Sequence, residues 1–132
     1  RNLPQMIDGA FGSHKQMIIF PAGLCSRKID GVIQDRAWTK TFIVKSKESK
    51  RAIVPVHFIG RNSNRFYFVA RLCTILKLKT NLAMFLLPDE FYKARNSKFT
   101  VIFGKPIPAE TFDNSRTPLE WASVVRKTVY KL

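Results

Sequence analysis

The segment Met17-Ile-Ile-Phe-Pro-Ala-Gly-Leu-Cys-Ser-Arg27 changes from apolar to polar across a proline and a glycine. Its first residues, Met17 to Phe20, are apolar, β-branched or aromatic, so they predict a short buried strand. Pro21 has no N–H for a strand ladder, and Gly23 tolerates backbone angles that are closed to other residues. The strand is therefore expected to end at this turn and to pass into a loop.

The loop after the turn carries the polar side chains Ser26, Arg27 and Lys28. Loops at the strand ends of α/β proteins often hold the groups that bind a ligand. An arginine binds two oxygens at once and a serine hydroxyl adds a donor, so the set suits an anionic, oxygen-rich headgroup. A strand, a turn and a solvated basic loop without any ligand would explain the same residues, which alone leave both interpretations open.

The same residues also resemble a known motif. Phe20-Pro-Ala-Gly-Leu-Cys-Ser-Arg27 is similar to the Phe-Pro-Glu-Gly-Thr-Arg-Ser block of the glycerolipid acyltransferases, the lysophosphatidate acyltransferase family. Ala22 stands where that family usually has Glu, and the order Ser26-Arg27 replaces Arg-Ser. The replacement of Glu favours an acceptor other than glycerol 3-phosphate.

Further blocks along the chain extend the resemblance. Ile53-Val-Pro-Val56 is similar to the family's later apolar-Pro-apolar motif, and Gly104-Lys-Pro-Ile107 is similar to a strand ending of the family. Asp35-Arg-Ala-Trp-Thr-Lys40 and Gly60-Arg-Asn-Ser63 resemble a bacterial branch often labelled haemolysin, which includes enzymes that O-acylate lyso-amino-acid lipids. The resemblance covers only the second half of the family's domain. Residues 1–132 are therefore interpreted as a single domain or as the C-terminal portion of an acyltransferase domain.

The resemblance implies a reaction and a set of site residues. The intact protein would move a fatty acyl chain from a thioester of acyl carrier protein or coenzyme A to the hydroxyl of a lysolipid at the membrane. That acceptor would be a lyso-amino-acid lipid or a lysophospholipid, and the resemblance implies no bound cofactor and no metal. Ser26 and Arg27 would bind the acceptor headgroup, Gly23 would shape the loop, and Pro55 would form a wall near the substrate.

The catalytic pair of the family has no match in this chain. The family uses a His that acts as general base, followed five positions later by an Asp that orients it. Ile19 follows His14 at that spacing, and Asn62 follows His57. We therefore assign no catalytic residue, interpret both histidines as structural, and expect the isolated chain to be inactive.

The charge of the chain favours an anionic partner. Lys and Arg number 23 against 9 Asp and Glu, which gives a formal net charge of +14. An excess of this size suits nucleic acid or the anionic face of a membrane. The apolar segments 66–78 and 82–87 are shorter than the roughly 20 residues that span a bilayer, and their basic neighbours suit a membrane interface. Helices that lack a packing partner would show the same pattern.

The two cysteines and the first residues of the chain provide evidence on the protein's cellular location and processing. Cys25 and Cys73 have neither metal-binding nor redox spacing, which favours a reducing compartment. Together with the resemblance, this predicts a peripheral protein on the cytoplasmic face of the inner membrane. The chain begins with Arg and no apolar signal segment follows, so we expect a processed or cut chain.

The main alternative function is a non-catalytic basic module that binds nucleic acid or a membrane surface. Aromatic residues beside basic ones would suit nucleic acid. Most of the aromatic residues fall inside apolar runs, however, which is typical of core residues. Nucleic acid is therefore the less favoured partner.

The predicted fold is α/β, with a layered, mixed and partly parallel sheet and flanking helices. It would form an incomplete half of the acyltransferase fold that the resemblance implies. Strands are predicted at 17–20, 52–60 and 99–103, and an Asp-Gly turn at 30–31. Helices are predicted over residues 3–13 and 66–78. Two more are predicted to begin near Arg36, with Asp35 as the N-cap, and after Thr117, which is the N-cap of the last helix. Pro88 is expected to end the apolar segment 82–87.

Overall fold

A computed structural model describes residues 2–132, in which helices and short strands are interspersed along the chain. The helices are α1 (Leu3–Gly12), α2 (Thr41–Ser49), α3 (Asn64–Ile75), α4 (Leu87–Lys93) and α5 (Pro118–Val129). The strands are β1 (Arg27–Ile29), β2 (Val32–Gln34), β3 (Val56–Ile59) and β4 (Thr100–Phe103). Short 3-10 helices cover Leu82–Leu86, Ala94–Asn96 and Ala109–Thr111. The predicted mixed α/β class is confirmed.

The strands form two small antiparallel sheets, β1 with β2 and β3 with β4. The first sheet is the predicted hairpin, in which Asp30 and Gly31 have φ values of 49° and 83°. Two consecutive left-handed residues make the turn whose twist fits an antiparallel hairpin. Both pairs are antiparallel, so the parallel part of the predicted sheet has no counterpart within residues 2–132.

The chain divides into two compact units, and the first comprises the residues up to Leu24, residues 37–57 and residues 102–132. Its core lies where α2 and α5 bring their apolar faces together with the short 3-10 helix before α5. The rings of Phe112 and Trp121 meet edge to face with centroids 5.7 Å apart. The buried residues of this core are Phe42, Ile43, Phe112, Trp121, Ala122 and Val125.

The second unit comprises residues 25–36 and 58–101. Its core is the inner face of α3 packed against the 3-10 helix Leu82–Leu86, and Ile33 of β2 lies against it. The buried residues of this core are Phe66, Tyr67, Ala70 and Ala83. The spacing of Phe66, Ala70 and the buried Cys73 is that of one helical face. The prediction of a helix over 66–78 is therefore confirmed in position, with its end at Ile75.

The prediction of a buried strand at 17–20 is wrong for this structure. The segment takes no strand pairing within residues 2–132, and Ile18 and Phe20 are 86% and 81% exposed. An apolar run is buried only when another element covers it. The local pattern therefore identified an apolar segment but could not supply the neighbouring strand.

Two predicted helix boundaries are also wrong. No helix begins at Arg36, because the Asp35 carboxylate accepts a hydrogen bond from Ser26 instead of capping a helix. The next helix, α2, begins only at Thr41. Pro88 does not end a helix but lies in the first turn of α4, where its missing N–H is not needed.

The predicted start of the last helix is confirmed in detail. Thr117 caps α5: its hydroxyl accepts from the Glu120 N–H at 3.3 Å, and its own N–H donates to Glu120 Oε2 at 2.7 Å. This reciprocal pair satisfies two backbone donors that a helix start otherwise leaves open. Pro118 takes the first helical position, as its fixed φ favours.

Candidate acceptor-binding site

Ser26 and Asp35 face each other at the open end of the β1–β2 hairpin. Arg27 pairs with Gln34 across the hairpin, and Ser26 and Asp35 are the next residues outward on each strand. The Ser26 hydroxyl donates to Asp35 Oδ1 at 2.7 Å. Because that proton is committed to Asp35, Ser26 would offer a ligand an acceptor oxygen rather than a donor.

Arg27 folds back over its own loop. Its Nη1 donates to the carbonyl oxygens of Cys25, at 2.9 Å, and Ser26, at 3.3 Å. The guanidinium lies 5.7 Å from the centroid of the Phe66 ring, in the range of a cation–π contact. These contacts fix the direction of the side chain, and both hydrogen bonds use Nη1 only.

Gly23 shapes the turn that precedes this hairpin. Its φ of 67° lies in the left-handed region, and its N–H donates to the Phe20 carbonyl at 3.0 Å. A Cβ at this position would meet no atom within 4 Å, so the requirement for glycine is conformational rather than steric. The Thr39 N–H donates to the Pro21 carbonyl at 3.0 Å and fastens the other side of the turn.

Pro55 is buried and marks the point where β3 begins. Its carbonyl accepts from the Gly104 N–H at 2.8 Å. Ile53, two residues earlier, exchanges both backbone hydrogen bonds with Ile107, at 2.9 and 2.8 Å. A proline fits here because the ladder uses only its carbonyl.

The four predicted acceptor-binding residues fall into both compact units. Ser26 and Arg27 lie together in the second unit, next to Asp35 and Phe66. Gly23 and Pro55 belong to the first unit. The assignment of these residues to acceptor binding stays a prediction.

A buried carboxylate that the sequence did not single out lies close to the loop before α3. Glu90 of α4 is 8% exposed and accepts at Oε2 from the Ser63 N–H at 2.6 Å. The Ser63 hydroxyl donates to the other oxygen, Oε1, and accepts from the Phe66 N–H at 3.3 Å. Ser63 lies in the Gly60–Ser63 block, but nothing in the sequence pairs it with a residue 27 positions away.

The neighbouring carboxylate of α4 is held by cations. Asp89 Oδ2 lies 2.7 Å from Lys93 Nζ and 3.8 Å from Arg65 Nη1. The Lys93 hydrogen bond, helped by the charge of Arg65, lowers the pKa of Asp89. Asp89 therefore stays ionised to lower pH than an ordinary aspartate.

Neither histidine takes part in the hydrogen bonds and ion pairs described above. His14 is exposed, and His57 on β3 has its ring 5.7 Å from that of Tyr130. The Nδ1 atom of His57 is buried without a hydrogen-bond partner among residues 2–132. Across the same residues, no cluster of three His, Cys, Asp or Glu side chains could hold a metal ion.

The comparison with known proteins decides the family. A family described as acyltransferase matches residues 5–132, almost the whole chain. The chain belongs to the acyltransferase family. The resemblance carried by the Phe20–Arg27 and Ile53–Val56 blocks is thereby confirmed.

Two curated relatives within the acyltransferase family align with all of the chain. A protein of Bacteroides thetaiotaomicron is 55% identical, and one of Phocaeicola vulgatus is 50% identical, over 132 residues. Both are named lyso-glycine lipid O-acyltransferase. The chain spans about half the length of these relatives, 48% and 47% respectively.

No solved structure matches this acyltransferase chain significantly. Within residues 2–132, every helix is too short or too polar to cross a lipid bilayer.

Proposed function

We propose that the protein containing this chain transfers an acyl group to a hydroxyl of a lysolipid, and that the β1–β2 hairpin binds the acceptor. The relatives' names support an O-acyl transfer to a lysolipid. The observation that carries the acceptor assignment is the fixed guanidinium of Arg27, the last residue of the acyltransferase motif, which the Cys25 and Ser26 carbonyls hold.

In the proposed reaction the acceptor's hydroxyl oxygen forms an ester bond with the acyl carbon of a thioester. The carbon–sulfur bond breaks, and the thiol leaves with the proton. The donor is a thioester of acyl carrier protein or coenzyme A. The general base lies outside these 132 residues, because no His here is followed five residues later by Asp.

Arg27 is the proposed contact for the anionic part of the acceptor headgroup. Its Nη1 is already engaged, so the Nη2 side of the fork would face the ligand. Ser26 would accept from a headgroup N–H or O–H, because its hydroxyl already donates a hydrogen bond to Asp35. A headgroup that offers both an anion and a donor suits this pair better than a phosphate monoester.

We place the reaction at the cytoplasmic face of the inner membrane, with the protein bound peripherally to anionic lipid. The excess of basic residues, +14 in formal charge, supports this placement. The lysolipid acceptor is itself a membrane component, which supports it further.

Substitution of Arg27 in the full-length protein tests the acceptor assignment. A charged hydrogen bond is worth about 1.5–3 kcal/mol, so Arg27→Ala should lower kcat/KM for a lyso-glycine lipid by about one to two orders of magnitude. Arg27→Lys should be intermediate, because lysine keeps the charge and loses the fork. The KM for the acyl donor should stay unchanged in both variants.

Lys28 and Arg36 provide matched controls, since both are exposed cations in the same unit. Lys28→Ala and Arg36→Ala should leave the acceptor dependence within about twofold, a change of less than half of one kcal/mol. An unchanged acceptor dependence for Arg27→Ala would assign the headgroup contact to one of these two residues instead.

A further inference from the structure

Helix α3 is apolar on two opposite faces. Its inner face, with Phe66, Tyr67 and Ala70, forms the core of the second unit. Phe68, Leu72 and Ile75 lie on the other side at helical spacing, and they are 68%, 42% and 63% exposed. We call these three residues the outer stripe. The inner face of α3 is covered by the core, whereas the outer stripe is exposed to water; an exposed apolar face of this kind is typical of an interaction surface.

Two arginines border the outer stripe. At about 100° per residue, Arg65 and Arg71 fall on its two edges, one on each side. Both are exposed. The nearest carboxylate to Arg65 is Asp89, at 3.8 Å, and Arg71 forms no ion pair within residues 2–132. The edges of the stripe therefore carry positive charge that nearby acids neutralise only weakly.

The chain beyond α3 continues the same pattern. Leu76, Lys77, Leu78 and Lys79 alternate apolar and basic side chains, and all four are exposed. Met84 and Phe85 of the following 3-10 helix are also exposed. No acidic residue occurs between Gly60 and Asp89, whereas that interval contains five basic residues, Arg61, Arg65, Arg71, Lys77 and Lys79.

We propose that the outer stripe of α3 and its flanking arginines dock the protein onto an anionic lipid surface. The helix is 12 residues long, so it would lie in the plane of the surface rather than cross the bilayer. The apolar side chains enter the acyl-chain boundary while the arginines bind lipid phosphates. This docking surface specifies the membrane placement of the proposed function and rests on it.

Charge and side-chain type together favour lipid over the other occupants. Nucleic acid would match the arginines but offers no counterpart to the aliphatic Leu72 and Ile75. Another segment of the same protein could cover the apolar residues of the stripe, but it would not explain why residues 61–88 carry five basic residues and no acidic one. An anionic bilayer matches both features.

A local fluorescent probe in the full-length protein tests the proposal. Ile75→Cys takes an environment-sensitive dye on the stripe once Cys25 and any exposed cysteine outside residues 1–132 are replaced by serine, because Cys73 is buried. On mixed phosphatidylglycerol–phosphatidylcholine vesicles the emission should shift to the blue, and brominated lipid should quench it. A dye at Ser123→Cys, an exposed position on α5, should show neither effect.

Vesicle co-sedimentation of the same protein measures the affinity. Phe68→Ser together with Ile75→Ser should lower the partition coefficient roughly tenfold or more, whereas Phe103→Ser, an equally exposed aromatic outside the stripe, should not. Arg65→Gln with Arg71→Gln should lower it by about tenfold at low salt and less at high salt. Lys127→Gln on α5 is the charge control.

Three outcomes would overturn the docking proposal. A dye at position 75 that is already shielded without vesicles indicates that the protein itself covers the stripe. Stripe variants that bind vesicles like the parent protein assign the binding elsewhere. Variants that lose binding to an oligonucleotide and keep binding to vesicles indicate a nucleic-acid surface. Turnover of a detergent-dispersed lysolipid, measured in parallel, tests acyl transfer separately, because vesicle binding requires no reaction.

Discussion

The buried contact between Glu90 and Ser63 is expected to be a main source of stability in the second unit. The Glu90 carboxylate, 8% exposed, accepts from both the N–H and the hydroxyl of Ser63. Hydrogen bonds to a charged group contribute about 1.5–3 kcal/mol each, and the desolvation of the carboxylate offsets part of that gain. Glu90→Ala removes both acceptors, leaves two partly buried donors of Ser63 without this partner, and should cost about 3 kcal/mol.

Urea unfolding followed by circular dichroism measures this cost. The midpoint of Glu90→Ala should fall while the slope stays constant, and the melting temperature should drop by about 10 °C for a chain of this size. Glu110→Ala is the matched control, because Glu110 is an exposed glutamate in a short 3-10 helix. It should change the free energy of unfolding by less than about 0.5 kcal/mol.

A double-mutant cycle separates the contact from the loss of the helix cap. Ser63→Ala alone removes the cap of α3, which is worth about 1 kcal/mol, and one bond to Glu90. Combined with Glu90→Gln, it should show a coupling energy of about 1 kcal/mol or more. A coupling near zero, or a Glu90→Ala cost equal to that of Glu110→Ala, would show that the Glu90–Ser63 contact contributes little to stability.

The remaining predictions concern acid stability, the loop before the motif, and turnover. The backbone and hydroxyl hydrogen bonds from Thr117 lower the pKa of Glu120. Their stabilisation is therefore complete above the pKa of Glu120 in the unfolded chain, about 4.5, and is lost as the pH falls through the lower pKa of the folded state. Glu120→Gln should therefore flatten the acid limb of a stability–pH profile, and a limb as steep as that of the parent would contradict this. Arg51 Nη2 donates to the Lys15 carbonyl at 2.6 Å, and Arg51 Nη1 donates to the Ser13 carbonyl at 3.1 Å. Arg51→Ala should therefore lower the free energy of unfolding by about 2 kcal/mol and speed tryptic cleavage after Lys15, with Arg51→Lys intermediate. Equal cleavage rates in the parent and the variants would show that Arg51 does not hold this loop. The isolated 132-residue chain should show no thioester-dependent acylation of a lysolipid, and measurable turnover would show that the base lies within it.

The features that the sequence predicted well depend on residues close together in the chain. The Asp30-Gly31 turn and the Thr117–Glu120 capping box each need only a few neighbouring residues. The backbone preferences of those residues act before any distant contact forms. Both features accordingly appear where the local pattern placed them.

The features that the sequence predicted poorly depend on distant partners. The apolar run 17–20 has the composition of a strand, but pairing and burial require an element that its own residues do not specify. Glu90 and Ser63 are 27 residues apart, and only the packing of α4 near the start of α3 brings them together. Their contact has no signature in either local sequence.

The position of Asp35 shows how a local signal can mislead and a register argument can correct it. As a short acidic residue before an apolar stretch, Asp35 matched a helix cap. The Asp30-Gly31 turn, however, sets the register in which Arg27 faces Gln34, and the next outward pair is Ser26 and Asp35. The register thus places a carboxylate beside the serine of the acyltransferase motif, where it accepts a hydrogen bond from the hydroxyl. If the hairpin binds the acceptor as proposed, Asp35 would repel an anionic headgroup and Arg27 would attract it, so we expect substitution of either side chain to change which lysolipids bind there.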